Sequence, residues 1–357
     1  MEKQSLEKCI SNKIKYINFI LTLGMVMYHA KSLNGYNLDY KNFFGELLVK
    51  KYLTFADHIG YVCMVFFFFM SAFWFYQNLN SFSDILSKFK KRIKTLLVPF
   101  ILWMIIVFVY KAMINDINIY SFNIFLSFFE APINGPLWYL LALLMLQFFS
   151  PVFLLLKKVK NKFISIGIFL IAIIFVFLRK IQFFTPLLVF KNWWWYENII
   201  YYLPVYMLGA YIGMNYSKYI LKKSYDKWYH FVIGIVCLIA SLLLWKFFNN
   251  KNYYVIFSIV ELVGIWMIFK TTFSKKELPK FLNCSFFVYA LHGPILIPIT
   301  RKIIFKFLKD SYICGVELII LKLFQILLIL ACSYIIKIIC KFIFSKKIYD
   351  GLSGGRN

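Results

Sequence analysis

Apolar residues in this chain come in long unbroken runs, not in the strict alternation of a half-buried strand. Ten runs approach the roughly 20 residues a helix needs to cross the hydrocarbon core of a bilayer. They lie near 14–33, 58–77, 96–115, 137–156, 163–179, 199–215, 229–248, 253–272, 285–305 and 318–343. The first ends in Met27-Tyr28-His29-Ala30. A bulky Tyr stands there where a leader-peptide cleavage site wants a small residue, so the run reads as a retained anchor. The pattern predicts an all-α fold: a polytopic transmembrane helical bundle of about ten spans, forming one integral-membrane domain over residues 1–357.

Composition strengthens that reading. Of the 357 residues 62% are apolar and 16% charged, against roughly half and a quarter in soluble domains. The excess of 41 Lys and Arg over 15 Asp and Glu would suggest nucleic acid in a soluble protein. Here the cations fall between apolar runs, where they set topology instead, and no nucleic-acid partner is expected. Clusters at Lys3–Lys15, Lys88–Lys94, Lys157–Lys162, Lys218–Lys227, Lys270–Lys280 and Lys337–Arg356 hold 26 of the 41 and fall on alternate connections. Both termini are therefore expected in the cytoplasm, with the long connections 34–57, 116–136 and 180–198 outside. Trp193-Trp194-Trp195-Tyr196 suits a headgroup-level aromatic anchor, with sugar stacking as the other reading. The seven cysteines show no ligand spacing, so no metal site is expected.

Ionisable groups inside apolar runs are expensive and so are functional candidates. His29 closes the first run, His292 sits about two turns into the ninth, and Glu261 interrupts the eighth, where it must be paired, protonated or wet. His58 and His230 fall at run ends, near water. A histidine in a membrane helix also commonly bonds a neighbouring helix, which leaves His292 a structural alternative. Lys88-Phe-Lys90-Lys91-Arg92-Ile-Lys94, just before Pro99, reads either as a lipid-facing topology signal or as a dock for a phosphorylated cytoplasmic donor.

Six segments in order carry a family resemblance. They are Val26-Met27-Tyr28-His29, Phe66 to Phe73, Lys91-Arg92 to Pro99-Phe100, Gly135-Pro136-Leu137-Trp138-Tyr139-Leu140, Leu208-Gly209-Ala210-Tyr211, and Ser285 through Tyr289 to His292. Together the chain resembles the integral-membrane acyltransferase family 3. Asn18 departs from that family's pattern, which has Arg or Lys eleven residues before the first-run histidine; Lys15 is the nearest substitute. Ala72 replaces a Gly, and Leu141 an Arg found in many members.

The resemblance implies transfer of an acyl group, usually acetyl, from acyl-CoA to a hydroxyl of a cell-surface or lipid-linked glycan, in the cytoplasmic membrane. Acyl-CoA would be a co-substrate, and no metal is implied. It implies His29 and His292 as catalytic residues, and Arg92, Lys90, Lys91 and Lys15 as the donor-binding cations. Trp138, Glu261, Tyr289 and Ser285 would contact substrate. Some members carry a fused esterase-like domain; nothing past the last run reads as one, so direct transfer or handover to a separate protein is expected. Membrane lipid and glycan-assembly proteins are the other expected partners. A polysaccharide or lipid-linked-sugar exporter remains an alternative, favoured by Pro99, Pro204, Pro294 and Pro298 inside runs. An inactive scaffold is another, favoured by Asn18.

Overall fold

The computed structural model describes residues 2–34, 36, 43–116, 133–158, 162–178, 194–215, 227–248, 251–269, 279–308 and 312–355. Each predicted run has its body on helix, and no strand occurs among the described residues. The helices are α1 (Glu2–His29), α2 (Phe43–Tyr76), α3 (Phe82–Arg92), α4 (Val98–Met113), α5 (Trp138–Phe148), α6 (Ser150–Lys158) and α7 (Lys162–Leu178). They continue as α8 (Trp194–Met214), α9 (Trp228–Phe248), α10 (Lys251–Ile268), α11 (Ser285–Leu291), α12 (Ile297–Leu308), α13 (Gly315–Ile343) and α14 (Lys346–Ser353). Single π turns, Ile93–Leu97 and His292–Leu296, join α3 to α4 and α11 to α12. The side chains of the Trp193–Tyr196 cluster, and the connections 117–132, 179–193 and 216–226, lie outside the described residues.

Among the described residues five helical stretches are long and apolar enough to cross a membrane: Phe44–Tyr76, Phe82–Met113, Trp228–Phe247, Lys280–Leu308 and Gly315–Ile343. Shorter apolar helices accompany them at Gly135–Phe148, Ile166–Phe177 and Phe257–Ile268. Only 11% of the apolar window of α9 is buried, so that helix turns its hydrocarbon outward, as a lipid-facing helix does and a water-facing one does not. The protein is built as a multi-pass membrane protein.

Local chemistry explains where elements begin and end. Ser81 caps α3: its Oγ accepts from the Asp84 N–H, and the Asp84 carboxylate accepts from the Ser81 N–H, at 3.2 and 2.9 Å. Lys90, Lys91 and Arg92 then fill the last turn of α3, where cations suit the helix dipole. The Lys88 ammonium donates to the carbonyls of Phe75 (2.8 Å) and Gln77, closing the end of α2.

The helix α2 corrects the sequence reading. It starts at Phe43, fifteen residues before the predicted run, so the 34–57 connection is largely helix. Polar residues Glu46, Lys50, Lys51 and Asp57 lower the hydropathy there. Yet Val49, Tyr52 and Ala56 fall on one helical face and are buried. Val49 joins Tyr36, Ile304, Ile313 and Leu318 in a small core apart from the main one. His58 is not near water but buried at 5% exposure, its Nε2 2.6 Å from the Glu261 carboxylate. Glu261 is thus paired, one of the options the sequence left open.

The Phe-rich part of α2 packs on α8. A Cβ added to Gly209 or Gly213 would collide with the backbone of Phe69 or Phe73, so this four-residue glycine spacing lets the two backbones meet. Phe68 stacks on Tyr202 with centroids 4.7 Å apart. The end of α1 is fixed from α13: buried Lys322 donates to the carbonyls of Ala30 and Ser32, each at 2.8 Å. The Lys31–Asp57 ion pair ties the same end to α2.

Candidate active site

A cavity of about 240 Å³ runs between α1, α2, α5 and α11. Each helix supplies a stripe at helical spacing: Asn18, Thr22 and Met25 from α1; Phe67, Met70, Ser71 and Trp74 from α2; Tyr139, Leu140 and Leu143 from α5; Ser285, Phe286 and Tyr289 from α11. His292, Arg92 and Leu96 complete the lining. Helices α1 and α11 run the same way, since Phe19 meets Phe281 and His29 meets His292. Helix α2 runs against them, with Gly60 facing Tyr28 and the Cys63 thiol donating to the Leu21 carbonyl at 2.9 Å. Arg92 and Trp74 therefore sit towards one end of the cavity and His292 towards the other. Seven residues of α11 separate Ser285 from His292, or about 10 Å of helix rise.

His292 owes its setting to Pro294. Proline lacks an N–H, so the Ala290 carbonyl loses its α-helical donor; Asn134 Nδ2 donates to it instead, at 3.0 Å. The Tyr289 hydroxyl donates to the Pro136 carbonyl in the same corner. In the resulting π turn the His292 Nδ1 lies 3.0 Å from the Val288 carbonyl and 2.8 Å from that of Tyr289. Carbonyl oxygens only accept, so Nδ1 carries the proton. In the neutral ring Nε2 is then a bare acceptor, and it is buried with no hydrogen-bond partner. Such an imidazole takes a proton; it cannot stabilise a carbonyl oxyanion until it has taken one.

His29 extends the α1 stripe by one turn beyond Met25, and its ring centroid lies 5.0 Å from that of His292. Asn18, Thr22, Met25 and His29 thus share one face; His29 does not itself line the cavity but touches His292, which does. Thr22 Oγ1 is spent on the Asn18 carbonyl at 2.7 Å.

Among the three consecutive cations only Arg92 lines the cavity. Lys90 and Lys91 are exposed, because successive helical residues point about 100° apart. The half-buried Arg92 guanidinium donates to the Ser71 carbonyl at 3.5 Å and lies 5.9 Å from the Phe75 ring centre. Lys15 continues the α1 stripe but is exposed and outside the cavity. Ser285 and Tyr289 line it. Trp138 packs against Phe68 and Tyr139, and Glu261 faces His58; neither lines this cavity.

The sequence reading passed over Ser71 and Tyr139. The Ser71 Oγ is buried without a hydrogen-bond partner beside Arg92. The Tyr139 hydroxyl donates to the Phe67 carbonyl at 2.7 Å. Their one-dimensional signal was the spacing Phe67, Met70, Ser71, Trp74, a stripe that includes a polar position inside a Phe-rich run.

The acyltransferase family 3 model, described as an acyltransferase domain, matches residues 12–342 of the chain. The match reaches from α1 into α13 and takes in every residue of the cavity. No curated protein and no solved structure matches the chain.

Proposed function

We propose a reaction for this chain, which belongs to acyltransferase family 3: transfer of an acyl group, usually acetyl, from acyl-CoA to a hydroxyl of a cell-surface or lipid-linked glycan in the cytoplasmic membrane. The observation that carries it is the cavity with Arg92 towards one end and His292, in ring contact with His29, towards the other. Arg92 is the cation for the coenzyme's phosphates, since its fork donates to two oxygens at once. The thioester arm lies along Ser71, Tyr139 and Ser285, and the acceptor arrives from the His29 side.

The chemistry then balances. The acceptor oxygen attacks the thioester carbonyl as His29 takes its proton, and the new C–O bond forms as the C–S bond breaks. The departing thiolate needs a proton. His292 Nε2, bare and buried beside His29, passes one from His29 towards the cavity. The products are the ester and free coenzyme A.

Membranes carrying the protein should release coenzyme A thiol from acetyl-CoA when glycan is supplied; an exporter or a scaffold would release none. In the same assay Arg92→Ala should weaken donor binding by about 1.5–3 kcal/mol, as for hydrogen bonds to charged groups. Arg92→Lys should restore only part of this. Unchanged acetyl-CoA affinity in Arg92→Ala would move the donor site elsewhere.

The proposed topology has both termini in the cytoplasm, so Arg92 meets a cytoplasmic donor. Single cysteines placed at Asn118 and at Lys160 test it in intact cells. Labelling at 118 and protection at 160 is the expected outcome, and the reverse would invert the scheme.

A further inference from the structure

The end of α1 that carries His29 gathers buried and half-buried positive charge. Lys322 is buried at 1% exposure, and its ammonium lies 4.5 Å from the centre of the Tyr36 ring. Arg301, on α12, rests over Phe305 at 5.3 Å, and Phe305 packs on Tyr36 with centroids 4.8 Å apart. The guanidinium is close enough to act electrostatically on both Tyr36 and Lys322, and Tyr36 on Tyr52. Tyr36 and Tyr52 are 8% and 6% exposed, and neither hydroxyl has a hydrogen-bond partner; nor does the Arg301 Nε.

No carboxylate among the described residues answers these charges. At this end Asp57 is held by Lys31, Glu46 by Lys50 at 2.7 Å, and Glu317 by the Cys314 N–H at 2.9 Å. A buried ammonium and a half-buried guanidinium gathered with two unused, buried phenol donors cost free energy that an anion would offset.

We propose that this cluster binds an anionic group, a phosphoryl or a carboxylate, carried by the acyl acceptor. The proposal rests on the acyl-transfer reading for the acceptor's identity. Lys322 also holds the Ala30 carbonyl, next to His29, so an anion seated here would fix the acceptor beside the proposed base. Arg92, the proposed donor cation, lies towards the other end of α1. Charged groups on the acceptor and on the donor are then read at opposite ends of the same path.

The test uses the full-length protein in uncharged detergent, titrated with inorganic phosphate or glucuronate while thermal unfolding is followed. Either probe should raise the unfolding temperature of the wild type saturably, beyond sodium chloride of equal ionic strength. The double variant Tyr36→Phe/Tyr52→Phe, which keeps both rings, and the single variant Arg301→Gln should lose the shift. A wild type that shows no such shift overturns the proposal.

A kinetic arm identifies the source of the anion, in phosphatidylcholine vesicles with and without phosphatidylglycerol. In the double variant the KM for an anionic glycan should rise about tenfold or more. Turnover at saturation, the KM for acetyl-CoA and the KM for a neutral glycan should hold. A KM change that follows phosphatidylglycerol content would mean a lipid headgroup and would overturn the proposal, as would equal losses on charged and neutral glycans. Phosphate stabilisation without transfer to any glycan would support the anion site and remove the acyl-transfer reading alone.

Discussion

Replacing His29 by Gln is expected to lower acyl-transfer turnover by about 10²–10⁴-fold, or roughly 3–5.5 kcal/mol of barrier. Gln keeps much of the ring's size and a hydrogen bond but takes no proton at neutral pH, so the loss isolates proton abstraction from packing. Folded yield and acetyl-CoA affinity should be nearly unchanged, since Arg92 is not touched and α1 is still held by Lys322 and by the Lys31–Asp57 pair. His292→Gln should also lose turnover if the proton passes through Nε2. The two losses should be less than additive, as for residues that act on one proton. Turnover on a glycan acceptor, measured alongside thermal unfolding of each variant, decides the matter. Full transfer by a well-folded His29→Gln protein would remove His29 from the mechanism.

The second large effect is on stability and lies away from the cavity. Glu261→Leu should destabilise the folded protein by about 1–3 kcal/mol, because removing one partner of a buried hydrogen-bonded pair leaves the other's polar atom unsatisfied. The pair sits between α2 and α10, with side chains only 6% and 2% exposed, and Trp245 packs against the His58 ring at 5.4 Å between centroids. Adding His58→Phe to Glu261→Leu should recover much of the loss, since an apolar pair of similar volume leaves no buried polar atom without a partner. Unfolding of the detergent-solubilised single and double variants measures the coupling. Equal losses in the single and double variants would mean that the pair does not hold these helices together.

Much of this protein could be read in one dimension. Long apolar runs with cations between them specify a helical membrane bundle, because hydrocarbon tolerates only backbone whose polar groups are satisfied internally. Glu261 was legible as a group needing a partner, and His29, His292 and Arg92 as groups needing a reason, because charge and hydrogen-bonding capacity are costly among apolar residues. Where polar and apolar residues mix, the reading failed. The first fifteen residues of α2 have low hydropathy but one buried face, so hydropathy alone reads an amphipathic helix as a loop and sets His58 near water.

What the sequence determined by itself is the class of fold, the position of most helices and the short list of groups with chemistry to do. Which of these groups meet depends on how the helices pack. His29 and His292 come together because α1 and α11 run parallel, and the π turn around Pro294 holds the His292 ring with its Nδ1 on backbone carbonyls and its Nε2 bare. Arg92 enters the cavity while Lys90 and Lys91 do not, and Lys322 reaches back across 292 residues to close α1. Each of these depends on how far one helix is turned about its axis relative to its neighbour. A residue's step of 100° is fixed by the helix, but the zero of that angle is set by packing against other helices, which no single stretch of sequence contains.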